Sequence, residues 1–142
     1  MKVKSVMTQK AICVDAAETV AAAARLMSRS NVGALPVCSG GRLAGIVTDR
    51  DVALRFVAAG LDPNNTRVRA VMSAGPVTVG AERDAAEAAR LMAQRRIRRL
   101  PVEENGAVVG MLSLGDLAAQ PSCSVETAEA FADICGERRE NK

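Results

Sequence analysis

The sequence of 142 residues is poor in the side chains that carry out much enzymatic and nucleic-acid chemistry. It contains two Phe, no Trp, no Tyr and no His. Without His there are no Ser–His or Cys–His nucleophile pairs, and the commonest transition-metal ligand is missing. The scarcity of aromatic rings argues against a protein that stacks nucleic-acid bases on its side chains. It also predicts an aliphatic core. We therefore expect no catalytic residues and no metal site.

The charge and the apolar runs narrow the range of partners further. Nineteen Lys and Arg against 16 Asp and Glu give a formal charge of +3, which does not require an anionic polymer as partner. No stretch approaches the roughly 18 apolar residues of a membrane span, and the basic N-terminus lacks the apolar run of a signal peptide. We expect a cytoplasmic protein that has neither a membrane nor a nucleic acid as partner.

What the sequence does contain is an internal repeat, offset by 65 residues and free of gaps. Val6-Met7-Thr8 aligns with Val71-Met72-Ser73, and the segment Gly45–Asp51 returns as Gly110–Asp116. Such self-similarity predicts two copies of one supersecondary unit.

Each copy has the pattern of a β-α-β-β-α unit. The first strands are predicted at 11–14 and 76–79, and each precedes a helix whose apolar positions recur at helical spacing. Asp15 and Glu18 suit a capping box at the start of the first of these helices. Two further strands then meet across Ser39-Gly40-Gly41 or Asn105-Gly106. Closing helices are predicted from residue 50 to about 59 and from 115 to about 119.

These patterns predict an α+β fold of two packed repeats and a C-terminal helix. The expected boundaries are 1–59 for repeat 1, 60–66 for a linker, 67–120 for repeat 2 and 121–142 for a helical tail. The tail helix is expected to begin at Ser124 and to end at Gly136. Its predicted apolar face consists of Ala128, Phe131, Ala132 and Cys135, and we expect this face to dock on the body or on a second subunit.

A hydroxyl-x-x-Asp pattern follows the last strand of each repeat, as Thr48–Asp51 and Ser113–Asp116. The pattern is typical of a capping box at a helix start. The same hydroxyl and carboxylate can also hold a sugar and a phosphate. The two roles are compatible, and the residues alone leave both open.

The paired motifs Val-Met-Thr, V-G-A-L-P-V and G-I-V-T-D-R-D resemble a tandem pair of CBS domains, or Bateman module, over roughly residues 3 to 120. The chain further resembles the stand-alone two-CBS bacterial proteins of the hypoxic response protein type. The resemblance implies pseudo-twofold packing of the repeats and two clefts that take adenosine-containing ligands. It also implies that the motif Asp accepts hydrogen bonds from ribose hydroxyls.

Matched to that family, each cleft combines segments of both repeats. In the cleft ranked first, the resemblance places around the base Thr8, Ile12, Val32, Gly33 and Ala34. The ribose is held by Met111, Ser113 and Asp116, and the phosphates are reached by Arg98 and Arg99. The second cleft combines Ser73, Val77 and Ile97 with Ile46, Thr48, Arg50 and Asp51. Arg98-Arg99 stand where Gly33-Ala34 stand in repeat 1, so the two sites are expected to be unequal.

The basic run Arg95–Arg99 has two interpretations. Arg95 and Arg96 suit a solvated helix C-terminus, where cations are favoured. Arg98 and Arg99 lie beyond the helix, and their planar guanidinium groups suit bidentate contact with phosphate.

Four cysteines occur without a C-x-x-C pair, and free thiols are the rule in a reducing cytoplasm. Cys13 and Cys38 fall on the first two predicted strands of repeat 1, so they are either a candidate redox pair or two unrelated thiols.

We thus expect a non-catalytic sensor that binds an AMP-, ADP-, ATP- or NAD-type nucleotide as regulatory ligand and needs no obligatory cofactor. A homodimer and an unidentified effector protein are the expected partners. The alternatives are a structural or stress protein with unoccupied sites, and a nucleotide hydrolase that uses Asp49 or Asp51 with a metal.

Overall fold

The protein is described by a computed structural model that covers residues 1–9 and 11–140, with side chains through residue 136. The last two residues of the predicted tail lie outside this part. The chain forms two compact units. Unit 1 holds residues 1–10, 77–105 and 109–142, and unit 2 holds residues 11–76 and 106–108.

The helices and strands follow the predicted α+β order. In chain order they are β1 Thr8–Gln9, β2 Val14–Asp15, α1 Val20–Ser30, β3 Ala34–Ser39, β4 Arg42–Thr48, α2 Asp49–Asp51, β5 Ser73–Ala74, β6 Val79–Gly80, α3 Ala85–Arg95, β7 Arg99–Glu104, β8 Ala107–Ser113, α4 Leu114–Ala118 and α5 Ser124–Glu140. Helix α2 continues as a π-helical segment, Val52–Val57. Short 3₁₀ turns occupy Val3–Ser5, Val68–Ala70 and Pro121–Cys123.

Each unit contains one four-stranded sheet, and each sheet takes an edge strand from the start of the other repeat. The sheet of unit 1 has the order β1-β8-β7-β6, and that of unit 2 has the order β2-β3-β4-β5. Strand β1 of repeat 1 pairs antiparallel with β8 of repeat 2, and β5 of repeat 2 pairs with β4 of repeat 1. The two repeats therefore exchange their lead-in strands.

The repeated glycine at the head of the motif is required by this exchange. A Cβ on Gly45 would lie 2.5 Å from the carbonyl oxygen of Ser73, and a Cβ on Gly110 would lie 2.8 Å from that of Thr8. No residue with a side chain fits such an approach without a backbone shift. The absence of a side chain at Gly45 and Gly110 thus allows the exchanged strands to pack against them.

The hairpin turns are as predicted, because Gly40, Gly41, Asn105 and Gly106 all have positive φ angles, as the hairpin turns with two central left-handed residues require. The aliphatic core is also confirmed. Each unit has its own cluster, with Met92, Leu100 and Leu112 fully buried in unit 1 and Leu35 and Val47 in unit 2.

The first strands predicted at 11–14 and 76–79 are present, but their predicted bounds are wrong. The strands are the two-residue β2 and β6, and Ile12 and Val77 precede them. The physical reason is that the chain passes from one unit to the other after residues 10 and 76, so this stretch serves as a connection and pairs over only two residues.

The predicted capping box of the first helix is also wrong. Thr19 is the N-cap of α1 and accepts a hydrogen bond from the Ala22 amide. Asp15 instead accepts from the Ala17 amide at 2.8 Å, because pairing of β2 with Cys38 holds it in a strand that ends in a turn. The repeat-2 equivalent of Thr19 is Asp84, the N-cap of α3.

The tail helix packs on the body through a different face from the predicted one. Its buried positions are Thr127, Ala130 and Ile134, whereas Ala128, Phe131 and Ala132 are exposed. Together with buried Cys123 these positions recur at 123, 127, 130 and 134, which is a helical stripe that includes a threonine and was missed for that reason. The helix also runs past Gly136, since the residues that follow are good helix formers.

Candidate functional site

Both hydroxyl-x-x-Asp patterns form complete capping boxes at a strand–helix corner. At the first corner the Thr48 hydroxyl accepts from the Asp51 amide at 3.1 Å, and the Asp51 carboxylate accepts from the Thr48 amide at 2.9 Å. At the second corner the same bonds join Ser113 and Asp116, at 3.0 and 2.9 Å. In each corner only one oxygen, Oδ2, is used by the cap, so the other is available for a further contact.

In unit 1 this second oxygen is unengaged. Asp116 is half-buried, and its Oδ1 has no partner among the described residues. The corner is tied to the basic run through the backbone, because the Leu114 amide donates to the Arg98 carbonyl at 2.8 Å. Within the described part of the chain, the side chains of Arg98 and Arg99 form no ion pair or hydrogen bond. An acceptor and two unpaired cations therefore lie in the same corner.

A cavity of about 700 Å³ opens beside this corner. Arg98, Arg99 and Ser113 line it from one side, and residues of α5 line it from the other. Thr8 is opposite Met111 in the register of β1 and β8. Of the predicted residues, Arg98, Arg99 and Ser113 line the cavity. Thr8, Met111 and Asp116 belong to the same unit and are not among the residues that line it.

The corner in unit 2 has the same cap and a different charge environment. The Asp51 Oδ1 lies 3.7 Å from Arg55 Nε, and the Asp51 side chain is only 13% exposed. Arg55 is held there by its own hydrogen bonds to the carbonyl oxygens of Val71 and Met72, at 3.3 and 3.2 Å. The carboxylate of this corner is therefore already next to a cation of the chain.

Several other predicted residues surround the unit 2 corner. The Asp49 amide donates to the Gly33 carbonyl at 2.9 Å, and Ala34 is opposite Thr48 in the register of β3 and β4. Ser73 is opposite Ile46. Unit 2 in this way contains Ile12, Val32, Gly33, Ala34, Ile46, Thr48, Arg50, Asp51 and Ser73. Val77 and Ile97 belong to unit 1, and the predicted combination of residues from both units stays a prediction.

Two contributions to these corners were missed from the sequence. Arg55 is four residues after Asp51, a spacing that places opposite charges side by side on a helix; repeat 2 has Gln120 at the equivalent position. Thr127 of α5 was missed because it is polar, whereas Ala128 and Phe131, which also line the cavity, belong to the predicted apolar face of that helix.

The two cysteines of unit 2 are neighbours in space. Asp15, two residues after Cys13, is opposite Cys38 in the parallel pair of β2 and β3, and the Ala16 amide donates to the Cys38 carbonyl. Burial and the adjacent Cys38 thiol raise the pKa of the Cys13 thiol to about 12. All four cysteines are free thiols.

Two features are absent from the described residues. No helix among them is both long and apolar enough to cross a bilayer. Nor do His, Cys, Asp or Glu side chains of that part of the chain form a group of three or more that could hold a metal ion.

The family model of the CBS domain matches this chain twice, at residues 3–58 and 68–121. The CBS domain-containing protein YhcV of Bacillus subtilis is 41% identical over 132 residues, which are 93% of this chain and 94% of YhcV. Hypoxic response protein 1 of Mycobacterium tuberculosis is 34% identical over 116 residues, 81% of each chain.

Solved structures agree with these matches. The crystal structure of Hypoxic Response Protein I with two coordinated zinc ions has a TM-score of 0.78 and 33% identity, and covers 84% of this chain and 98% of its own. The CBS domain pair of protein MJ0100, in complex with 5′-methylthioadenosine and S-adenosyl-L-methionine, has a TM-score of 0.74 and 22% identity over 84% of this chain and 94% of its own.

Proposed function

This chain belongs to the CBS-domain family, and we propose that it is a non-catalytic regulatory module that binds an adenosine-containing nucleotide of the AMP, ADP, ATP or NAD type. The observation that carries the proposal is the unit 1 corner, where Asp116 Oδ1 and two arginines are unengaged beside a cavity. Binding there is proposed to change the state of an effector protein.

The carboxylate is suited to the ribose. Asp116 Oδ2 is fixed by the Ser113 amide at 2.9 Å, so the carboxylate is held in one orientation and Oδ1 can accept from the vicinal hydroxyls. Hydrogen bonds to an ionised acceptor are worth roughly 1.5–3 kcal/mol each. Since the cap and the ribose use different oxygens, the capping role and the ligand role do not compete.

The arginines are suited to the phosphates. Arg98 and Arg99 follow one another at the start of β7, and both line the cavity that Ser113 also lines. Each guanidinium presents a planar set of donors that fits phosphate oxygens. Without a bound anion, two adjacent cations repel each other, which a phosphate would relieve.

The comparisons add support at the level of the fold. The CBS pair of MJ0100 holds two adenosine-containing compounds, and its backbone superposes on this chain with a TM-score of 0.74. Because the two sequences are 22% identical, the residues of this chain rather than the likeness must decide which compound it takes.

The hydrolase alternative has less in its favour. Asp49 is exposed, and its carboxylate accepts from the Arg50 amide at 2.8 Å. Asp51 is capped and paired with Arg55. Incubation with ATP and Mg²⁺ separates the two classes, because turnover that is lost in Asp51→Ala would favour an enzyme.

A thermal-shift panel of AMP, ADP, ATP, NAD and S-adenosylmethionine tests the proposal. A ligand at 100 times its dissociation constant stabilises the folded state by about 2.7 kcal/mol, which corresponds to a rise of several degrees in Tm. If none of the five compounds moves the Tm, the sensor function is wrong and the stress-protein alternative gains. The homodimer and the cytoplasmic location remain predictions alongside it.

A further inference from the structure

The cavity of unit 1 has one wall that does not belong to the CBS repeats. The family matches end at residue 121, yet Thr127, Ala128 and Phe131 of the tail helix α5 line the cavity opposite Arg98 and Arg99. In unit 2, no additional helix follows the closing helix of repeat 1 before the linker begins. The wall is therefore an addition to one of the two corners.

The burial of Thr127 is not explained by packing of the helix alone, because its side chain is polar. It is the one polar residue that is buried among the described residues, at 7% exposure. Its hydroxyl oxygen is buried and lacks a hydrogen-bond partner within that same set. A buried hydroxyl without a partner costs stability, whereas the other members of its stripe, Cys123, Ala130 and Ile134, carry no such cost.

Phe131 is unexpected for the opposite reason, because it is apolar and exposed. It is one of two aromatic residues in the chain, and it lines the cavity while its side chain remains exposed, at 59%. One turn of helix separates it from Thr127, so both belong to the side of α5 that borders the cavity.

We propose that α5 is a wall of the nucleotide site in unit 1, and that the Thr127 hydroxyl donates a hydrogen bond to a phosphate oxygen held by Arg98 and Arg99. The inference rests on the proposed function and names the part of the ligand that the tail reads. Thr127 lines the cavity and threonine adopts two χ1 rotamers in helices, so the proposal requires the rotamer that turns the hydroxyl toward the cavity. Phe131 then covers the bound phosphates. Nucleotide binding thereby alters the packing of α5, which is the element available to report it to a partner.

The test compares Thr127→Val with Thr127→Ser by calorimetric titration of ATP, with adenosine as the compound that lacks phosphates. Thr127→Val keeps the shape and removes the hydroxyl. We expect it to raise the Tm of the unliganded protein while weakening ATP binding roughly three- to tenfold, the range of one hydrogen bond. Thr127→Ser should bind ATP within about twofold of the wild type, and adenosine should bind equally to all three.

A purely structural role predicts the higher Tm of Thr127→Val without any change in ATP binding, and this result would overturn the inference and leave the proposed function intact. Equal weakening for ATP and adenosine would also overturn it, since the hydroxyl would then not read a phosphate. If the wild type binds neither ATP nor any other compound of the five-compound panel, the proposed function itself is wrong.

Discussion

The corner at Ser113 and Asp116 and the corner at Thr48 and Asp51 have the same four-residue cap, with hydrogen bonds equal to within about 0.1 Å. They differ in what surrounds the carboxylate. Asp51 faces Arg55, whereas the residue equivalent to Arg55 in repeat 2 is Gln120, which lies beyond the end of α4. The backbone of the motif is therefore reproduced by each repeat, and the two corners differ in the few residues outside the motif.

The difference also extends to the segments that precede the second strand of each repeat. Unit 2 has Gly33 and Ala34 where unit 1 has Arg98 and Arg99. Small residues leave room for a base, and arginines offer charge for phosphate. In the proposed function, the two repeats therefore contact different parts of the ligand.

The largest expected difference between the units concerns a disulfide, because Cys13 and Cys38 correspond to Thr78 and Glu103 in repeat 2. Oxidation with diamide should join Cys13 to Cys38 and leave two free thiols. Closing a loop of this length stabilises a folded chain by about 3 kcal/mol in the loop-entropy treatment. Mass spectrometry of alkylated protein identifies the pair, and four free thiols after oxidation would show that the cysteines are unrelated.

The next effect compares the two motif glycines. Gly45→Ala and Gly110→Ala should each destabilise the protein by about 1–3 kcal/mol through overpacking, and Gly45→Ala should cost more because its Cβ meets a backbone oxygen at 2.5 Å rather than 2.8 Å. Gly115→Ala is the matched control, since its Cβ would have its nearest contact at 3.6 Å. Urea denaturation measures all three. If all three variants have the same free energy of unfolding, the exchanged strands can accommodate an added methyl group, and the close approach is not required.

A smaller effect is expected from exchanging the residues beside the two carboxylates. Gln120→Arg places a cation four residues after Asp116, and Arg55→Gln removes the one beside Asp51. Gln120 lies beyond the end of α4 and has an extended backbone, so an Arg at this position lacks the helical spacing of an i,i+4 pair. An exposed ion pair is worth roughly 0.2–1 kcal/mol, and we expect ATP affinity at unit 1 to fall by about twofold at most in Gln120→Arg. Calorimetric titration should also reveal stronger binding at unit 2 in Arg55→Gln. Tighter binding by Gln120→Arg would indicate that charge near Asp116 attracts phosphate and does not occupy the carboxylate.

The smallest effect concerns the N-terminus of unit 1, where Lys2 and Lys4 hydrogen-bond to Glu82 at 2.6 and 2.7 Å. These two partners lower the pKa of Glu82 to about 2. A carboxyl whose pKa is lowered in the folded state stabilises that state above its unfolded pKa, near 4.5, and loses this contribution as the pH falls toward 2.

The Tm of Glu82→Gln should therefore lie slightly below that of the wild type at pH 6, and the gap should close between pH 4.5 and 2. Because all three side chains are about half exposed, 0.5 M salt should shrink the gap as well. A gap that is independent of pH would exclude the ion pairs as its cause. No equivalent anchor exists for unit 2 in the described part of the chain, so this pH response should be confined to unit 1.

Much of the fold could be predicted because the repeat supplies two copies of every signal. Glycine pairs, helical stripes and the hydroxyl-x-x-Asp pattern act over a few residues, where local geometry determines the structure. The exchange of β1 and β5 could not be predicted in this way, since the strands are two residues long and their pairing depends on Gly45 and Gly110. Gly45 was prominent in the sequence, but a contact with Ser73 has no local signature.

The tail helix shows the opposite limit. Its apolar residues Ala128, Phe131 and Ala132 predicted the packed face, while the structure buries Thr127. Hydrophobic periodicity fails where a polar residue is retained at a buried position, and such failures are expected at functional sites.

The most direct test of the unequal corners compares Asp116→Ala with Asp51→Ala. Each variant removes the same half of a capping box, and Asp51→Ala also removes the partner of Arg55, so the Tm of each variant is measured beside its affinity. Titrated with the adenosine compound that gives the largest thermal shift, Asp116→Ala should lose most of the wild-type binding, and Asp51→Ala should keep it. Equal affinities in the two variants, or loss only in Asp51→Ala, would contradict a primary nucleotide site at Asp116.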